Sequence, residues 1–337
     1  MTSNKKKALI TGITGQIGSY LAELLMEKGY EVYGLIRKKL DEAGMKVHKE
    51  NGITVFEGDL DDPISIERVI KKVEPDEIYN LAAQSDAQVS FHLAEYTLRI
   101  NGMALIRICE AARSLPKPAR VFQAASAELY GGMLEGAVDE NAPFHPRNPY
   151  GIAKLTAYWI VRYYREKHGL FACNGIFFNA ESPKRGENFV TRKIVQGVAA
   201  IKTGKQERLA LGNLNAVRDW SHAKDFAQAI WTMLQADKAD DYVVASGVLH
   251  SVREFVELAF KYVGIEIKWR GSGVDEVGYD AKTNKTLVYV DSAYYRPHEL
   301  QKSTFGNANK LKALGWTQHY DFSALVKEMI EAEMNKT

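Results

Sequence analysis

The sequence predicts an α/β fold, a doubly wound parallel sheet joined to a smaller α+β lobe, and three observations carry that prediction. Short β-branched runs alternate with helical patterns through the first half of the chain. A glycine-rich turn, Gly12-Ile13-Thr14-Gly15-Gln16-Ile17-Gly18, stands between the first such run and a helical pattern that begins near Gln16. Beyond residue 180 the rhythm changes to shorter strands and helices.

Taken in order, the strands are expected at Ala8–Thr11, Glu31–Ile36, Thr54–Phe56, Glu77–Asn80, Val121–Ala124 and Ala172–Phe178. Because strands continue past Lys154, residues 1–179 are read as the nucleotide-binding domain, with strand exchange from the C-terminal half left open, and 180–337 as the second lobe. That lobe opens with a Pro183–Glu187 loop and a helix over Phe189–Thr203. Asp280–Thr286 is polar and reads as a loop, and Phe322–Met334 has the apolar spacing of an amphipathic helix. No repeat or low-complexity linker separates the lobes, so they are expected to pack around a cleft.

Composition narrows the function classes. The chain has 337 residues, 46% hydrophobic and 26% charged, enough for one large core and a second lobe. A formal charge of +2 gives no electrostatic case for nucleic acid, and Lys5-Lys6-Lys7 reads as a solvated lead-in to the first strand. Cys109 and Cys173 lie in apolar segments without metal-ligand spacing, so neither a metal nor a disulfide is expected and a reducing compartment fits. No stretch approaches the roughly 18 apolar residues of a membrane span, and no signal region precedes the first strand, so a cytoplasmic protein is expected.

Glycines in the first turn let the backbone approach a pyrophosphate, whose charge is met by the amides opening the next helix. The spacing here is G-x-x-G-x-x-G, within the strand–turn–helix context of a Rossmann-type domain. The second strand ends in Arg37-Lys38-Lys39, where an NAD site usually carries an acid. Cations there favour a 2′-phosphate, so NADP is expected over NAD, the alternative being that Lys38 and Lys39 only face solvent. Gly58-Asp59-Leu60 and Leu81-Ala82-Ala83-Gln84-Ser85 follow later strands. Asp59 is read either as an adenine contact or as a helix cap, and the small residues let a cofactor pass.

Ser126 and Glu128 follow the fifth strand, and Tyr150 and Lys154 lie one helical turn apart after Asn148-Pro149, a helix start. An ammonium facing a phenol can lower its pKa and make it a base near neutrality, a hydride-transfer pair. A glutamate beside that pair adds a carboxylate able to take a proton from carbon and return it to a leaving hydroxyl. Together the four residues predict oxidation coupled to elimination, with Ser126 orienting the oxygen being oxidised. Cys109 reads as core, and the histidines show no metal-like grouping.

On these residues the chain resembles the extended short-chain dehydrogenase/reductases and, within them, the branch of dehydratases acting on GDP-mannose. The similarity runs through nearly the whole chain: Gly12-Ile-Thr-Gly-Gln16, Ala127-Glu-Leu-Tyr-Gly131, Asn148-Pro-Tyr-Gly-Ile-Ala-Lys154, Leu211-Gly-Asn213, Arg218-Asp-Trp220 and Arg296-Pro-His-Glu299. Its most diagnostic block runs from Asn179 to Ile194. The resemblance implies cofactor contacts at Gly12 through Ile17, Asp59, Leu60, Leu81 through Ser85, Tyr96, Lys154 and Arg185. It implies substrate contacts at Asn179, Thr191, Lys193, Arg218, Arg296 and Glu299, besides Ser85 and the catalytic group. Lys193, Arg218 and Arg296 suit a diphosphate and Glu299 suits sugar hydroxyls, although Arg218-Asp219 also reads as a surface ion pair.

By the same resemblance the activity is a 4,6-dehydration of GDP-D-mannose. The alternatives are a nucleotide-sugar ketoreductase or epimerase, a dehydratase that also reduces its product with NADPH, and a non-catalytic NADP sensor. Ser126 stands in place of the family's threonine, Ile17 in place of an aspartate, and Asp86 and Ala180 in place of histidines. The segment after Arg37 is shorter than the family's arginine-rich loop, which helps build tetramers. A homodimer through helices around 92–113 and 150–167 is therefore expected, with a tetramer left open.

Overall fold

The computed structural model describes residues 5–37, 52–295 and 303–336. Its centre is a seven-stranded, wholly parallel sheet in the order β12-β7-β5-β4-β1-β2-β3. The strands are β1 (Lys7–Thr11), β2 (Glu31–Ile36), β3 (Thr54–Glu57), β4 (Glu77–Asn80), β5 (Arg120–Ser126), β7 (Ala172–Phe177) and β12 (Asp241–Val244). Every residue of β4, β7 and β12 is buried, as a parallel sheet covered on both faces requires.

Leu21 and Leu25 of the helix Gln16–Glu27 join Phe226 and Ile230 of the helix Ala223–Gln235 in the core on one face. On the other, Ile66 and Val69 of the helix Pro63–Val73 pack with Ile108 of Ala104–Arg113 and Val161 of Pro149–His168. Each helix presents apolar residues at helical spacing, so sequence periodicity chooses the buried face.

The domain boundary expected at residue 179 is crossed. β12 comes from the C-terminal half and completes the sheet beside β7, and the helix Ala223–Gln235 covers it. Asp241 pins this edge: its carboxylate accepts from Arg165 Nη2 at 2.8 Å, Asn174 Nδ2 at 2.8 Å and Tyr158 Oη at 3.0 Å. The pairing of Asp241 with Asn174, almost seventy positions away, leaves no local signal in the sequence.

The second lobe holds a four-stranded sheet, β14 (Ile267–Arg270), β15 (Val277–Asp280), β16 (Thr286–Val290) and β9 (Leu209–Leu211). Helices Val190–Lys202, Val252–Tyr262 and Phe322–Met334 bury Val198, Phe255, Phe260 and Met329 against it. Three short ladders complete the fold: β8 (Asn179–Glu181) with β11 (Trp220–His222), β10 (Val217–Arg218) with β13 (His250–Ser251), and β6 (Gly136–Val138) with β17 (Thr304–Gly306), the last tying the first half of the chain to its C-terminal part. Among the described residues no helix is long and apolar enough to cross a membrane.

Candidate active site

A cleft of about 890 Å³ opens over the carboxyl ends of the parallel strands, where ligands bind in such sheets. Gly12, at φ +71°, begins its floor; a Cβ there would stand 2.8 Å from the Ala82 amide nitrogen. A Cβ on Gly18 would overlap the Gly12 carbonyl oxygen. The turn therefore has room for backbone only, and the helix Gln16–Glu27 opens from it with no side-chain cap on its first-turn amides and no acid among them. Such a cradle fits a pyrophosphate. Gln16 is held on both sides, donating to Ala180 O at 2.9 Å and accepting from Ser182 Oγ at 2.9 Å, which stitches the turn to β8.

The described cofactor candidates, from the first-turn glycines through Asp59 and Leu60 to Ser85, Tyr96 and Arg185, line this cleft, except Ile13, which is buried in the core. Arg37 Nη1 donates to the Tyr96 hydroxyl at 2.9 Å, placing a guanidinium where β2 ends. Asp59 does not cap the following helix; Asp62 does, accepting from Ile64 N. Asp59 instead turns Oδ1 to the Asp61 amide at 2.9 Å. Ser85, Asn179 and Arg218 line the cleft, whereas Thr191 and Lys193 do not. Thr191 is fully buried and donates to Glu181 at 2.5 Å, and Lys193 lies 3.6 Å over the Tyr294 ring. Both belong to the helix Val190–Lys202. Lys38, Arg296 and Glu299 lie outside the described residues.

Asp219 is no surface partner of Arg218. It is buried and accepts from Ser246 N, Ser246 Oγ, Gly247 N and Gly306 N at 2.6 to 3.1 Å. It therefore ties three chain segments together beneath Arg218.

Ser126, Glu128, Tyr150 and Lys154 meet in the cleft. Ser126 ends β5, its Oγ accepts from Glu128 N at 3.2 Å, and its hydroxyl acts on the Tyr150 phenol. Burial pushes the Tyr150 phenol up to about 12; the Ser126 bond and the Arg185 charge pull it down, and Glu128 pushes it up. Lys154 Nζ donates to Ala124 O at 2.8 Å and lies 5.8 Å from the Tyr150 ring centre, and burial lowers the ammonium to about 8.

Lys154 meets a polar ladder across the sheet that spacing did not reveal. Thr11 Oγ1 donates to Asn80 Oδ1, Asn80 Nδ2 to Gln123 Oε1, and Gln123 Nε2 to Ala124 O, over 2.6 to 2.8 Å, with all three side chains buried. Lys154 shares that last carbonyl. Three further contacts escaped the sequence reading. Asn148 Nδ2 donates to Glu128 Oε2 at 2.8 Å, Ser90 Oγ accepts from Tyr150 N at 3.2 Å, and Asp86 accepts from Asn188 at 3.1 Å. The helix-start signal at Asn148-Pro149 could have found the first; the others rest on contacts distant in sequence.

Known proteins are similar along the whole chain. The profile of the GDP-mannose 4,6 dehydratase family matches residues 9–329. A GDP-mannose 4,6 dehydratase of Dictyostelium discoideum is 48% identical, covering 99% of this chain and 97% of that protein. That of Homo sapiens is 47% identical over 99% and 93%, and that of Vibrio cholerae serotype O1 44% over 99% and 95%. Among solved structures, a UDP-glucose 4-epimerase of Thermotoga maritima with UDP-glucose superposes at TM-score 0.80 and 19% identity, covering 98% and 99%. RMD of Pseudomonas aeruginosa, complexed with NADPH, does so at 0.77 and 20%, covering 98% and 100%, and both share the fold. With the profile matched almost end to end, the chain belongs to the GDP-mannose 4,6-dehydratase family.

Proposed function

We propose that this protein is a hydro-lyase that converts GDP-D-mannose to GDP-4-dehydro-6-deoxy-D-mannose and water. The observation that carries the reading is a carboxylate, Glu128, set beside the Ser126–Tyr150 hydroxyl pair in a nucleotide-shaped cleft. A ketoreductase or epimerase needs the tyrosine and the lysine but has no task for that carboxylate.

Tyr150 takes the proton of the C4 hydroxyl, with Ser126 holding the same oxygen. The Ser126 hydrogen bond and the Arg185 guanidinium lower the phenol against its burial. The Gly12–Gly18 turn, Arg37 and the small residues after β4 would hold a nicotinamide cofactor, which supplies the redox chemistry, taking hydride from C4 and giving it back at C6. Once C4 is a ketone the C5 proton is acidic, and Glu128 removes it. The C6–O bond then breaks and Glu128 returns that proton to the departing hydroxyl, which leaves as water. Glu128 ends as it began; as hydride would return to C6, C5 takes up a proton, which balances the one Tyr150 took from the C4 hydroxyl, and no cofactor is consumed. Arg218 on the cleft wall faces the diphosphate.

NADP is the cofactor in this reading because Arg37, bound to Tyr96, closes the end of β2 with a cation. The protein works as a homodimer, and its two buried free thiols suit a reducing cytoplasm. Mass spectrometry of the purified protein with GDP-mannose and catalytic NADP⁺ tests the reaction: a product lighter by one water is expected, and unchanged substrate overturns it. Titration of NADP⁺ and NAD⁺ into wild type and Arg37→Ala tests the cofactor; tighter NADP⁺ binding that the substitution abolishes is expected.

A further inference from the structure

Asn148 joins helix capping to the position of Glu128. It opens the helix Pro149–His168 with extended backbone, and its Oδ1 accepts from Gly151 N at 2.7 Å. A backbone N–H only donates and a carboxylate only accepts, so that bond fixes which way the amide points. Its Nδ2 is thereby turned to Glu128 Oε2, 2.8 Å away. The same helix carries Tyr150 two residues later, so one side chain sets the carboxylate in register with the phenol.

The surrounding backbone is built for this closeness. A Cβ on Gly151 would lie 2.8 Å from the Glu128 carbonyl oxygen, so only glycine lets the first turn approach. His145 N donates to Leu129 O at 2.8 Å, strapping the segment before Asn148 to the turn that bears Glu128, and Gly131 N closes that turn on Glu128 O at 3.2 Å. We propose that Asn148 is a positioning residue for the elimination step, holding Glu128 by Oε2 so that Oε1 handles the C5 proton. This rests on the reading that Glu128 moves that proton. A carboxylate on a two-carbon stem otherwise samples several rotamers, and a misplacement of about 1 Å costs up to roughly 100-fold in rate.

Cap and donor can be separated. Asparagine, aspartate and serine cap helices about equally well, so Asn148→Ser and Asn148→Asp keep the Gly151 bond while losing the donor to Glu128. Aspartate adds a negative charge beside the carboxylate. Both variants should melt within a few degrees of wild type. In single turnovers with NADP⁺ and GDP-mannose, the 340 nm absorbance should rise at nearly the wild-type rate and then persist, because oxidation proceeds while water loss slows about 10- to 100-fold. The aspartate variant should be the slower of the two. Adding Asn148→Ser to Glu128→Gln should cost nothing more, since the two act as a unit. Wild-type water loss in Asn148→Ser, or equal slowing of oxidation and water loss, overturns the proposal. Wild-type turnover in Glu128→Gln instead removes the reading on which it rests, an outcome that the single Glu128 variant identifies by itself.

Discussion

At the scale of single residues, burial opposes both members of the tyrosine–lysine pair. Charging Lys154 inside the protein costs free energy, and its depressed value of about 8 against 10.5 makes this a stability statement. Below pH 8 the lysine is protonated in both folded and unfolded chains, and the folded state bears the whole penalty, on the order of 2–3 kcal/mol. Between about 8 and 10.5 the unfolded chain binds more protons, so stability rises with pH. Lys154→Met should therefore abolish turnover yet raise the melting temperature at pH 7, and the gap to wild type should close as the pH approaches 10.5. Calorimetry across that range checks it, and a destabilised variant at pH 7 would contradict it. Ser126→Ala removes the hydroxyl that lowers Tyr150, so its pH–rate profile should move to higher pH with a fall of about 10- to 100-fold in kcat. The sequence made the four residues legible because chemistry and spacing name them. Where the ammonium points was not legible, because that depends on the Thr11–Asn80–Gln123 ladder drawn from three strands.

At the scale of elements, the parallel strands, the glycine turn and the capped helix at Asn148 were readable because periodicity and turn chemistry are local. The setting of Thr191 and Lys193 was not legible for the converse reason: which face of their helix meets the cleft is decided by how Ile194, Val195 and Val198 pack in the second lobe. Asp219 shows the same limit, a residue between two short strands whose bonds reach Ser246, Gly247 and Gly306. Removing that carboxylate leaves buried donors without an acceptor, each worth about 1–3 kcal/mol. Asp219→Ala should thus lower unfolding free energy by roughly 3 kcal/mol or more, with Asp219→Asn losing less because one acceptor remains. It should also raise KM for GDP-mannose more than it lowers kcat, since β17 and the loop after β12 lose their common anchor. Urea unfolding and steady-state kinetics measure the two effects; wild-type stability in the alanine variant would show the bonds to be dispensable.

At the scale of the whole molecule, the sequence read two lobes and a cleft, and the edge strand β12 shows that chain order is not spatial order. The outer surface carries a further consequence. The helix Pro149–His168 buries Lys154, Ala157 and Val161 inward, while Ile152, Trp159 and Tyr163 are about half exposed on its other side. Met103 is also exposed, and Ile106, Trp159, Ile160 and Tyr163 line a shallow apolar groove of about 350 Å³. These are the segments from which a homodimer was expected, and large aromatics left open on paired helices are costly unless covered. A second copy related by a two-fold axis would cover the groove with the same residues, and would stiffen from behind the helix that holds Tyr150 and Lys154. Light scattering at micromolar concentration should give twice the chain mass for wild type and the single chain mass for Trp159→Glu, with circular dichroism unchanged. Because a dimer is stabilised by mass action, the wild-type melting temperature should climb with protein concentration while that of the variant stays flat. A wild-type protein that scatters as a monomer, or melts independently of its concentration, would leave the aromatic face without this partner and would detach the order of the catalytic helix from assembly.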